Sequence, residues 1–104
     1  MAAGNQAVSV SQPFITIFIG VGYEFWAIKM KTLFRSQELW DLVEHGFEDP
    51  TDDVRLKDNR RKDSKALFFI QQAVDEAVFS RIASAMTSIE AWMILKTDIK
   101  GLPK

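Results

Sequence analysis

Six basic residues within eleven positions, Arg55, Lys57, Arg60, Arg61, Lys62 and Lys65, form the densest chemical group in this chain. Only Asp58 and Asp63 fall among them, so the stretch carries a local charge of +4. Such a cluster suits contact with phosphates, where displaced counterions supply the affinity, and it also fits a short nuclear-targeting signal. Two features favour an ordinary solvated helix face. No aromatic residue is interleaved to stack on bases, and Glu44 to Asp53 places five acids immediately upstream. Those acids raise a calcium-loop reading, which fails on spacing. A loop beginning at Asp49 puts Arg60 where a bidentate glutamate is required and Val54 where glycine is required. Asp52 and Asp53 suit the N-terminus of a helix better. His45 is the single histidine, beside Glu44 and distant in sequence from any nucleophile, so it reads as a surface residue at a helix end. No Ser-His-Asp arrangement, phosphate loop or metal-ligand cluster can be assembled, so the chain reads as no enzyme, with no cofactor and no small-molecule substrate.

Composition narrows the choice further. A chain of 104 residues with 47% hydrophobic and 26% charged residues has the balance of one small folded domain. Its net charge of −1 argues against a protein whose main task is coating nucleic acid. Cysteine is absent, which removes disulfides, zinc fingers and thiol chemistry. The apolar run Phe14 to Val21 is far shorter than the ~20 residues a membrane-spanning helix needs. Residues 1–13 contain no Lys or Arg, so no signal peptide is expected. The expected compartment is the cytoplasm, with the nucleus open through the basic cluster.

The elements that must position these groups follow from periodicity. Residues 1–13 read as a disordered tail, residues 14–101 as one helical domain, and residues 102–104 as a second short tail. FITIFI, from Phe14 to Ile19, is β-prone and uncharged, and reads as an extended arm packed against other elements. Tyr23 opens a helix whose Trp26, Met30 and Leu33 share one face, widened by Phe34. Ser36 is placed to cap a second short helix that holds Leu39, Trp40 and Val43, and Gly46 suits its left-handed C-terminal position. After Pro50, a long helix is predicted over 54–78, with Leu67, Ile70, Val74, Ala77 and Val78 as its stripe. A short turn or helix follows through Ile82 to Met86. Thr87 and Glu90 have the spacing of a capping box for a last helix carrying Ile89, Trp92, Leu95 and Ile99, ended by Gly101 and Pro103. The expected architecture is all-α, a small bundle of three to four amphipathic helices behind an extended N-terminal arm. Its anchors are Tyr23, Trp26, Met30, Leu33, Trp40, Leu67, Ile70, Val74, Trp92 and Leu95. Trp26, Trp40 and Trp92 matter most, because large aromatics bury the most surface per residue.

The order Phe18, Gly20, Tyr23, Trp26, Met30, Leu39-Trp40 resembles the N-terminal region of Gag polyproteins from plant copia-type LTR retrotransposons. Lys65 to Trp92, KALFFIQQAVDEAVFSRIASAMTSIEAW, resembles the block that follows in the same region. Together the two blocks span most of Phe14 to Gly101. Gly22 departs from the pattern, which usually has Asn before the tyrosine, and the arm is more apolar than the family's. The resemblance implies a truncated copy of the helical, capsid-like part of Gag, which works by self-association and without catalysis. Its partners would be further copies of itself or of other Gag chains. The family's zinc knuckle cannot be carried over to a chain without cysteine, which leaves RNA as a weak partner and membranes as none. An RNA-binding adaptor using Arg55 to Lys65, or a peptide-binding module using the aromatic face, is the alternative.

Overall fold

Gly22 opens the first helix with a left-handed backbone (φ 72°), a conformation glycine adopts without steric cost. The helix that follows, α1, runs Tyr23–Ser36, and then come α2 (Trp40–His45), α3 (Asp53–Gln72), α4 (Glu76–Ile82) and α5 (Ser88–Ile94). A π-helical turn, Leu95–Ile99, continues α5. The computed structural model describes residues 15–48 and 52–99. The expected tails, Phe14, Pro50, Thr51, Gly101 and Pro103 lie outside the described residues, as does the side chain of Ile99. The protein is mostly helical and all-α, and no strand occurs among the described residues.

Several boundaries differ from the sequence expectation, each for a visible reason. Ser36 does not cap α2. It is the last residue of α1, and its hydroxyl donates to the Leu33 carbonyl at 2.7 Å. α2 instead begins after Leu39 with no side-chain cap, following Glu38 in a positive-φ conformation. Gly46 has the expected positive φ of 72°, but its ψ of −163° is extended and not helical. Asp52 does cap α3, accepting from the Val54 amide at 2.9 Å.

The helix expected over 54–78 is two helices. Its apolar stripe continues through Val74, yet the backbone breaks at Ala73 and restarts behind Asp75, whose carboxylate accepts from the Val78 amide at 2.9 Å. Phe18 occupies the break. Its N–H donates to the Ala73 carbonyl at 2.7 Å, its carbonyl accepts from the Asp75 N–H at 3.0 Å, and it pairs in parallel with Val74 as an isolated bridge. The arm thus satisfies backbone groups that the interruption would otherwise leave bare. Ala77, expected in the stripe, is exposed. Residues after Ile82 turn without forming a further helix before α5.

At the start of α5, Thr87 accepts from the Glu90 amide at 3.3 Å. The Glu90 carboxylate reaches back to the Met86 amide at 2.8 Å, one residue before the position a standard capping box serves. The Thr87 half of the device is in its expected place, and the Glu90 half is displaced by one residue.

Candidate functional site: an aromatic core and the surfaces around it

The three tryptophans, one from each of α1, α2 and α5, meet in one aromatic assembly. Trp26 stacks on Trp92 with ring centroids 5.6 Å apart, and Trp40 meets Trp92 edge-on at 5.8 Å. Phe34 contacts Trp92 edge-on at 5.8 Å and stacks on Trp40 at 6.5 Å. On the other side Phe18 stacks on Trp26 at 4.9 Å, and Tyr23 closes the set against both. Each such pair adds ~0.5–1.5 kcal/mol beyond the area it buries.

Burial separates the members. Trp26 and Trp92 are in the core, whereas Trp40 and Tyr23 are only partly covered. The Trp26 indole N–H is shared between the carbonyls of Thr16 and Ala73, both at 3.1 Å. One side chain of α1 therefore holds the arm and the break after α3 at once. Trp40 turns its outer side to solvent, where the Lys31 ammonium lies 5.2 Å from the ring centroid, a contact worth ~0.5–1 kcal/mol at an exposed site.

The other expected anchors lie in or against this core. Met30, Ile70, Val74 and Leu95 are buried, and Leu33 and Leu67 are partly so. Phe18, Phe69 and Ile82 are buried anchors that periodicity did not single out.

Burial raises the Tyr23 phenol above its ordinary value, with the Glu24 charge acting in the same direction. The folded state therefore holds its proton more tightly than the unfolded chain does. Stability from this group is complete below the unfolded value of about 10 and declines as pH rises through the folded one. Tyr23 is the single tyrosine, so phenolate absorbance reports it alone. The expected titration midpoint lies above that of the guanidinium-unfolded chain; equal midpoints would mean the ring is fully solvated.

The polar feature that sequence reasoning misplaced is Asp63. Counted above as an offset to the basic cluster, it is only 5% exposed and faces inward beside Ala66 and Ile70. Its carboxylate accepts from the Ser88 hydroxyl at 2.6 Å, and both of its oxygens lie 3.2 Å from the Ser88 amide nitrogen. Ser88 is the first residue of α5 and fully buried, so the negative charge sits where free amides and the helix dipole both favour it. Among the described residues no buried side-chain nitrogen or oxygen lacks a partner.

The six basic residues are all exposed. Asp58 pairs with Arg61 and, at 3.1 Å, with Lys62. The hydrogen bond from Arg61, then that from Lys62, holds the Asp58 carboxyl below its usual range. These are solvent-exposed i,i+3 and i,i+4 pairs along one helix, of small energetic weight. His45 contacts Glu44 at 3.2 Å on the surface. Among the described residues, no group of three or more His, Asp or Glu is arranged to hold a metal ion, and no helix is long and apolar enough to cross a membrane.

The interior is therefore occupied by packed rings and one closed carboxylate clamp. No family model, curated protein or solved structure matches the chain. What remains open to a partner is the outside. A groove of about 310 Å³ between the arm and α1 is lined by Ile15, Ile28, Met30 and Leu33, with Thr16, Trp26, Lys29 and Thr32 completing it. Ile28, which lines it, is 64% exposed, and Phe25, one turn earlier on the outward side of α1, is 78% exposed. A second, shallower apolar depression is formed by Ala85, Ile89, Met93 and Ile94.

Proposed function

We propose that this chain is a self-associating structural module, with the role its sequence resemblance implies: a capsid-like part of a copia-type Gag that joins copy to copy without catalysis. The supporting observation is the exposure of Ile28, which lines the groove between the arm and α1, and of Phe25 one turn before it on the same helix. Two large apolar side chains at adjacent turns of a helix whose opposite face is already buried cost solubility unless something covers them. Burying them against the same surface of a second copy returns ~1.5–3 kcal/mol per side chain removed from water. The cytoplasm is the compartment this reading implies.

The test uses residues that the fold does not need. Phe25→Glu with Ile28→Glu places two like charges on the outward face, and should leave far-UV circular dichroism unchanged while abolishing association at high salt. Unchanged mass for a folded double variant would remove this surface from the proposal.

A further inference from the structure

Charge is segregated along this chain to a degree that its net value conceals. From Ser36 to Val54 there are seven acids and no Lys or Arg, and the six bases of Arg55 to Lys65 follow directly. Every described acid of the first block and every base of the second is exposed. Asp41, Glu44 and Glu48 are exposed on and just after α2. Lys57, Arg61 and Lys65, four residues apart on α3, are exposed opposite the face that buries Asp63, Ala66 and Ile70. That spacing sets the three cations about 6 Å apart along a stripe about 12 Å long.

Among the described residues no ion pair joins one block to the other within one copy. The ion pairs among the described residues are local, joining Glu44 to His45 and Asp58 to Arg61 and Lys62. No pair among them bridges from α2 to α3. Arg35 lies beside Glu38 and Asp41 in one shallow depression, and among the described residues no Lys or Arg forms an ion pair with Glu44 or Glu48.

We infer that the α3 stripe receives the acidic edge of α2 from a second copy, a charge-complementary contact distinct from the apolar groove. It rests on the proposed self-association and adds a second surface to it. Unlike patches either close as a reciprocal pair or continue head to tail, and their charges set register and speed of encounter more than final strength. This contact is therefore the salt-sensitive part of assembly and the apolar groove the salt-resistant part.

The experiment measures mass by light scattering across protein concentration at about 0.1 M and about 1 M salt, between which the screening length falls from about 10 Å to about 3 Å. Three proteins are compared: the parent, a basic-stripe reversal (Lys57→Glu, Arg61→Glu, Lys65→Glu), and an acidic-edge reversal (Asp41→Lys, Glu44→Lys, Glu48→Lys). Circular dichroism confirms that both variants are folded. The parent should assemble further at low salt than at high salt. Each reversal alone should show at low salt only the high-salt mass, and an equimolar mixture of the two should regain the low-salt mass of the parent. The salt response of the parent stands as evidence even if a variant fails to fold.

Reversals without effect, or folded variants that do not recover on mixing, overturn the inference while leaving high-salt association through Phe25 and Ile28 intact. A monomeric parent under both conditions ends both readings. Tight low-salt binding of a single-stranded RNA oligonucleotide that is lost in the basic-stripe reversal, with acidic-edge reversal harmless to assembly, reassigns the stripe to RNA and also overturns the inference.

Discussion

Trp92→Ala is expected to remove about 3–5 kcal/mol of folding stability, a large share of the ~5–15 kcal/mol a domain possesses. The magnitude follows from position. Trp92 is 7% exposed and touches Trp26, Phe34 and Trp40, so its removal opens a void walled by three other rings. Those rings come from two helices, α1 and α2, and cannot all close on it together. Trp40→Ala is the internal control, since that ring is partly solvated and carries Lys31 on its face. It should cost clearly less. Urea unfolding followed by circular dichroism measures both, and equal losses for the two variants would show that Trp92 is not the keystone of the assembly.

Asp63→Ala carries the second large effect, about 2–4 kcal/mol. Loss of the carboxylate leaves the Ser88 amide and hydroxyl buried with no acceptor, and it releases the N-terminus of α5 from α3. A double-mutant cycle with Ser88→Ala isolates the contact, with an expected coupling of ~1–3 kcal/mol. Asp58→Ala, also on α3 but at the surface, should barely move the melting temperature. If Asp63→Ala behaves like Asp58→Ala in the same melt, the clamp makes no contribution to the fold.

The contrast between those two aspartates shows where the sequence was legible and where it was not. The all-α class, α1 with its Trp26-Met30-Phe34 face, and the starts of α3 and α5 follow from periodicity and caps, signals that are local. Asp63 carried a readable signal too: it stands at i−3 and i−7 from Ala66 and Ile70, on the buried face. Charge counting along the chain hid this by treating Asp63 as one more member of a polar cluster. The helix break at Ala73 was harder to see. No Gly or Pro marks it, and the apolar stripe runs straight through Val74. Its partner is Phe18, far away in sequence, and only tertiary contact supplies the hydrogen bonds that make the break tolerable. Asp75-Glu76 was the one local trace, a cap followed by an acid in the first helical turn. Ser36 failed for the opposite reason, because a good capping residue bonded back into its own helix through the Leu33 carbonyl.

The surface was less legible than the core. Periodicity assigns an apolar residue to a face only when the stripe is single, and α1 has apolar residues on two faces, with Phe25 and Ile28 outside and Trp26, Met30 and Phe34 inside. The charged blocks were visible as composition. That no ion pair among the described residues joins the two blocks was visible only in the fold.

Light scattering on the parent chain across a wide concentration range at about 1 M salt separates apolar self-association from everything driven by charge. Screening there reduces the charged contacts to about 3 Å in reach, while burial of Phe25 and Ile28 against a second copy is undiminished. The expected result is a mass that rises with concentration and falls to that of one chain in the Phe25→Glu, Ile28→Glu variant. A parent that remains a strict monomer at every concentration would contradict self-association through the groove between the arm and α1.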